Sequence, residues 1–198
     1  MRKIALAFTA SSLILANSPA AAQQRWAVEL RGAGAVPTRQ IEEDDLGAGL
    51  GFEGAVRYGF RSRLAAYAGW DWIRFSPDDS FAGSDMEFEV TGYTFGLRYE
   101  RPFAGEEGVP DTWAWWARAG GIFDHVEIEN PEGEGVADTG HGLGWEAGAG
   151  LALSLGSGWS LTPGFRFRSV TRDVEIATAI TTMELDYVTF ELGLARFF

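Results

Sequence analysis

The chain has 198 residues and a formal net charge of −12, is 46% hydrophobic and 22% charged, and contains no cysteine. This length suits one domain, the acidic balance excludes a nucleic-acid binder that must present a basic face to phosphates, and the lack of thiols excludes a disulfide framework or a cysteine-held metal. The 26 glycines make up about 13% of the chain against a usual ~7%, and they come with 8 Trp, 5 Tyr and 14 Phe in no collagen-like period.

Residues 1–22 read as a secretory leader: Arg2 and Lys3 supply charge, Ile4 to Ala16 an apolar core, and Ala20, Ala21 and Ala22 the small residues of a cleavage site. The apolar stretch is too short to span a bilayer as a helix. The remaining unit, 23–198, carries no linker-like change of composition, and what recurs in it is the two-residue period of a strand. Alternating segments are expected at about 25–36, 46–60, 64–75, 88–100, 113–126, 143–155, 159–171 and over the last residues to 198. Three are sharp. Leu50, Phe52, Val56 and Tyr58 oppose Gly51, Glu53 and Arg57; Leu143, Trp145, Leu151 and Leu153 oppose Gly144, Glu146 and Gly148; Val188, Phe190, Leu192 and Leu194 oppose Thr189, Glu191 and Gly193. Short links at 61–63 and 156–158 alternate with longer polar ones at 37–45, 76–87, 127–142 and 172–185, and the link at 101–112 is longer than that rule requires.

A soluble barrel hides its apolar set and wets its charges, and a membrane barrel does the reverse. The large apolar set holds Trp and Leu, whereas the opposite set pairs glycine with Glu29, Arg31, Glu53, Arg57, Asp71, Arg98, Arg118, Asp124, Glu146, Arg166, Arg168 and Glu191. Six acids and six arginines can neutralise one another inside a narrow lumen, so these twelve are expected to form an interior charge network. Aromatics cluster at segment ends, with Trp26, Tyr58, Phe60, Tyr99, Trp113, Trp115, Trp159 and Phe198 toward the short links and Trp70, Trp72, Phe123 and Trp145 toward the long ones. Two such bands match the girdles where hydrocarbon meets headgroups. The fold expected is an all-β, eight-stranded antiparallel up-and-down transmembrane β-barrel.

At the C-terminus, Phe190, Leu192, Leu194 and Phe198 resemble the closing-strand signature of Gram-negative outer-membrane barrels, with Arg196 standing where that signature usually has an aromatic or apolar residue. Together with the leader and the eight segments, the chain resembles the small eight-stranded outer-membrane proteins, such as the OmpA transmembrane domain, OmpX and the opacity-like surface proteins. The resemblance implies a monomer in the outer membrane of a Gram-negative bacterium, in contact with membrane lipid and surface glycolipid. It also implies recognition of the last strand by the barrel-assembly machinery, termini in the periplasm and long links facing outward.

Two glycine motifs, Gly49 to Gly54 and Gly142 to Ala147, match G-x-G-x-x-G/A, but the strand alternation runs through both and leaves no helix start to cradle a phosphate. A lipid A-modifying enzyme of similar size would use a His with a Ser; neither His125 nor His141 is followed two residues later by Ser, and Asp124 lies on the strand face opposite His125. The long links are acidic, with Glu42, Glu43, Asp44 and Asp45 in the first, Asp78, Asp79 and Asp85 in the second, Glu127, Glu129, Glu132, Glu134 and Asp138 in the third, and Asp173, Glu175, Glu184 and Asp186 in or beside the fourth. They form a repulsive rim that divalent cations could bridge to anionic glycolipid, in no EF-hand spacing. The function expected is a non-catalytic outer-membrane barrel with a structural or surface-interaction role, without cofactor or metal ligands. A narrow solute channel and a lipid A-modifying enzyme are the alternatives.

Overall fold

Strands that alternate large apolar with small or charged residues need two different surroundings on their two faces, and closing the sheet on itself supplies both while leaving no unpaired edge. The computed structural model describes residues 25–38, 46–77, 87–103, 112–129, 135–176 and 179–198. The expected leader, 1–22, lies outside them. The strands are β1 (Trp26–Pro37), β2 (Leu46–Arg61), β3 (Leu64–Pro77), β4 (Glu87–Pro102), β5 (Trp113–Glu129), β6 (Gly135–Asp138), β7 (Gly142–Gly156), β8 (Trp159–Ile176) and β9 (Ala179–Phe197). All but β6 form one antiparallel barrel in which each strand pairs with its neighbour in the chain, β4 pairs β5, and β9 returns to pair β1 from Ala27 opposite Phe197 to Pro37 opposite Tyr187. The four-residue β6 only extends the outer end of β5. The described residues include no helix.

One expected link is corrected. The segment 172–185 is not a long polar connection: β8 and β9 stay paired up to Ile176 opposite Ala179, the longest strand pairing among the described residues. The link 127–142 likewise contains the last turnward residues of β5 and the short β6.

The outward faces are apolar over a defined height. From Trp113 to Phe123, β5 rises about 34 Å along its own axis, and a tilt of about 40° leaves about 26 Å along the barrel axis, the height of a membrane barrel's apolar band. Within that band Leu30, Leu50, Val56, Phe95, Leu97, Leu143, Trp145, Phe165, Phe190, Leu192 and Leu194 stand outward and exposed. Charge enters the described outward set of the band only at Arg101 and Arg196, both at the short-turn edge, and Arg196 stacks over Trp159 at 5.4 Å and Phe198 at 5.8 Å. That stacking accounts for an arginine within the C-terminal apolar pattern, since its stem lies on aromatics while its head reaches the wet edge. Aromatic contacts follow the two edges: Trp26 with Tyr58 at 4.7 Å and Tyr99 with Trp115 at 5.2 Å at one, and Trp145 with Phe167 at 5.2 Å near the other.

Beyond the band the polarity inverts. Toward the long links the outward positions become Arg74, Glu89, His125, Glu127 and Asp186, while Ala35, Ile73, Phe75, Phe88, Val90, Ile122, Val126, Ile128, Val170, Leu185 and Tyr187 turn inward as one apolar cluster. The glycine-and-charge face therefore does not run as lumen through the full height: toward the long links the inner face turns mainly apolar, broken by the buried Asp124–Arg172 pair, and the outer face turns polar.

Two inward aromatics lie on glycine pairs. Tyr67 covers Gly96 and Gly120, which face each other across β4 and β5, and Trp116 covers Gly150 and Gly164 across β7 and β8. A methyl group at Gly150 or Gly164 would run into the Trp116 ring and a neighbouring backbone carbonyl. Gly150→Ala and Gly164→Ala are each expected to cost about 1–3 kcal/mol through overpacking, read as a lower urea midpoint for the folded barrel.

Candidate functional site in the barrel lumen

The strand period brings each of the twelve charged residues to the inner face, and the register stacks them. Glu29, Arg31, Glu53, Arg57, Asp71, Arg98, Arg118, Asp124, Glu146, Arg166, Arg168 and Glu191 are all at most 5% exposed. Glu53 accepts Arg118 Nη2 at 3.0 Å and the Thr94 hydroxyl at 2.9 Å, and forms an ion pair with Arg166 Nη1 at 2.9 Å. Glu146 accepts Arg166 Nη1 at 2.9 Å, Arg168 Nε at 3.2 Å and the Tyr67 hydroxyl at 2.6 Å, and also bonds Arg118. Glu191 accepts Arg31 Nη1 at 2.9 Å and Arg166 Nε at 2.6 Å, with Thr189 at 2.7 Å. Glu29 accepts Arg31 Nη2 at 2.8 Å and the Thr162 hydroxyl at 2.5 Å, and Asp71 pairs with Arg168.

Several partners lay outside the sequence expectation. Arg172 is buried and pairs with Asp124, also donating to the carbonyl of Leu143 at 3.0 Å. Glu100, at the short-turn mouth, accepts Arg98 Nη2 at 3.0 Å and Arg57 Nη1 at 3.5 Å. The two additions carry one charge of each sign, so they leave the balance of the lumen unchanged. Tyr67 and Trp116 supply walls, with Arg118 4.0 Å over the Tyr67 ring and Arg98 4.4 Å over the Trp116 ring. Parity could have found Trp116, which shares its strand face with Arg118 and Asp124 while Trp113 and Trp115 take the other.

Buried carboxylates and guanidiniums held at these distances pair mainly with one another, which is the arrangement that offsets the cost of taking their charges out of water. An apolar cluster fills the inner face toward the long links, around the Asp124–Arg172 pair. Chemically the arrangement suits a rigid plug.

The structure brings together two histidines that looked isolated. His125 Nδ1 lies 3.3 Å from His141 Nε2, and His125 Nε2 lies 3.1 Å from a Glu127 oxygen, on the outer face above the apolar band. Both ring nitrogens of His125 are thus engaged without a serine, while Asp124 points inward to Arg172. Among the described residues no group of three or more His, Cys, Asp or Glu is arranged to hold a metal ion. The acidic residues at 42–45, 78–79, 85, 132 and 134 lie outside the described residues.

The C-terminal residues singled out in the sequence take one face of β9. Phe190, Leu192, Leu194 and Phe198 are exposed to 63%, 57%, 43% and 44% on the outer surface, while Thr189, Glu191 and Ala195 turn inward.

Neither a protein-family model nor a curated protein sequence matches the chain. Solved structures do. The neisserial surface protein A superposes with a TM-score of 0.65 at 11% identity, over 87% of this chain and 97% of that one. The outer membrane protein OprG from Pseudomonas aeruginosa gives 0.59 at 10%, over 87% and 95%, and outer membrane protein W from E. coli gives 0.54 at 13%, over 88% and 97%. At such identities the likeness concerns the backbone, and it agrees with the strand count, the closure of β9 on β1 and the outward apolar band. The chain has the fold of the small eight-stranded transmembrane barrels of bacterial outer membranes.

Proposed function

We propose that this chain is a non-catalytic outer-membrane protein whose barrel is a plugged anchor, with a structural or surface-interaction role carried by its long links. The observation that carries the reading is the dryness of the lumen: Arg31, Glu53, Glu146, Arg166 and Arg168 are each at most 1% exposed. In this reading residues 1–22 are a cleaved export signal, the termini lie in the periplasm, and the barrel works as a monomer against lipid and surface glycolipid. The outward row Phe190, Leu192, Leu194 and Phe198 serves as the signal read by the barrel-assembly machinery. The surface and outer-membrane locations of the proteins with the same fold support this placement.

The interior charge network acts here as the plug and as a register lock, because a one-residue slip of any strand would turn its charges into hydrocarbon. Catalysis by a serine and histidine is disfavoured because, among the described residues, the His125 nitrogen not facing Glu127 faces His141 rather than a serine. Planar-bilayer recording tests the plug. The purified barrel is expected to give no steady conductance steps, and reproducible single-channel steps from the unsubstituted protein would make it a narrow channel instead. Cell fractionation tests the location: the product is expected in the outer-membrane fraction with heat-dependent gel mobility, and recovery in the aqueous periplasmic extract would refute it.

A further inference from the structure

The chain is strongly acidic, yet one region of it is strongly basic. At the short-turn end a cavity of about 250 Å³ opens between β1, β2, β3 and β4, and among the described residues Arg25, Arg57, Arg61, Arg63 and Arg98 line it with Glu100 as the one acid. Glu29 behind Arg57 and Arg98 and Glu100 at the mouth offset two of these charges, and among the described residues Arg25, Arg61 and Arg63 leave a local positive excess on a chain whose formal net charge is −12.

The backbone that carries Arg25 and Arg63 is held by hydrogen bonds, and the Arg57 and Arg98 side chains are buried. The amide of Gly59 donates to the Arg25 carbonyl at 2.6 Å, and the amide of Glu100 donates to the Arg63 carbonyl at 3.0 Å, which ties both to the barrel ladder. Arg57 stacks over Phe197 at 5.1 Å and Arg98 over Trp116 at 4.4 Å, so an aromatic ring covers one face of each guanidinium and its N–H groups remain at the edge.

The edge donors are under-used. Arg57 and Arg98 are 5% and 2% exposed, yet Nε and Nη2 of Arg57 and Nη1 of Arg98 make no hydrogen bond. Glu29 attracts two of these atoms, at 3.3 Å and 3.8 Å, while already accepting from Arg31 and Thr162. A buried charged donor without an acceptor is costly and calls for a partner. Arg57 and Arg98, the residues that carry these donors, line a cavity of a size suited to a small oxyanion, and an arginine fork matches the tetrahedral oxygens of phosphate.

We propose that this vestibule is a binding site for a phosphate group, supplied either by the headgroup of a phospholipid or by free phosphate. Arg57 and Arg98 donate from the buried side, and Arg61 and Arg63 close over the anion from the exposed turn. The acidic remainder of the molecule repels extended polyanions, which limits the ligand to a single phosphate that fits the cavity. Only the lipid source depends on the membrane placement proposed above; the anion site itself stands on the cavity and its donors.

The test uses the full barrel in alkyl maltoside micelles, which contain no phosphate, at low ionic strength. Calorimetric titrations are run with inorganic phosphate and, separately, with dihexanoyl phosphatidylglycerol, on the unsubstituted protein, on Arg57→Gln and on the doubly substituted Arg61→Gln/Arg63→Gln. Saturable one-site binding of at least one probe is expected, weakened tenfold or more in both variants. Binding of inorganic phosphate identifies a free-phosphate site, and binding of the lipid alone identifies a headgroup site. Because Arg61 and Arg63 are exposed at the β2–β3 turn, the double variant keeps the test valid if Arg57→Gln fails to fold. Absence of saturation by either probe, or equal affinity in the double variant and the unsubstituted protein, overturns the proposal.

Discussion

Replacing Glu146 with alanine is expected to destabilise the barrel by about 3–5 kcal/mol, the range for removing one member of a buried ion pair. Glu146 accepts from Arg166 and Arg168, pairs with Arg118 and takes the Tyr67 hydroxyl, all at the middle of the lumen. The substitution leaves three arginines short of an acceptor where no water can replace it, and the large loss reflects those stranded charges rather than the net worth of the network. Glu100→Ala is the matched comparison. Its side chain is 33% exposed at the mouth and also faces two arginines, so solvent takes over its role and the loss should stay within about 1 kcal/mol. Urea unfolding of both variants in lipid vesicles checks the contrast. A loss at Glu146 no larger than at Glu100 would mean that the network is hydrated and does not plug the barrel.

The same comparison separates two properties of the network. Replacing a whole buried ion cluster by apolar residues of similar volume is often neutral or stabilising, so the ions of the lumen are not the main source of folding energy. They act on specificity. With Gly193 opposite Arg31 and Gly148 opposite Arg166, space for each long side chain exists only in one register.

The eight strands were legible because a membrane barrel writes two opposite solvents onto a period of two, and the sharp segments 46–60, 143–155 and 188–198 lie almost wholly inside the band. The weaker segments were weak for a physical reason. In β3 and β4, Ile73, Phe75, Phe88 and Val90 face inward above the charged layers while Trp70, Trp72, Tyr93 and Phe95 face lipid, so both parities look apolar. Arg172 was hidden because its neighbours Asp173 and Glu175 suggest a link, whereas β8 continues through it as strand. The His125–His141 contact requires the register. Once Phe123 is opposite Leu143, the antiparallel count brings residue 125 beside residue 141, but the sequence leaves that register open because the length of the intervening link does not set it. Side-chain partners such as Thr94 to Glu53 and Thr162 to Glu29 join strands far apart in the chain and become visible only when the barrel is closed.

An arginine on the outer face should reveal what that face touches. Ala149 points outward and pairs with Ala117 on β5 and Phe165 on β8, halfway between Trp113 and Phe123 in height, whereas Leu155 is the last outward residue before the Gly156 turn. In a bilayer Ala149→Arg is expected to cost about 2–4 kcal/mol and Leu155→Arg about 0–1 kcal/mol, because an arginine near the interface snorkels to headgroups and one at the midplane does not reach them. Ala149→Leu removes the effect of size and should be close to neutral, since a leucine on an open apolar surface meets only lipid. Unfolding free energies measured by urea titration in lipid vesicles give all three values. A steep dependence on depth requires hydrocarbon about 25 Å thick around the barrel. Equal and small losses at residues 149 and 155 would instead put water or another polar surface against the leucine and tryptophan face, and the interior of this barrel would then have to be explained without a membrane.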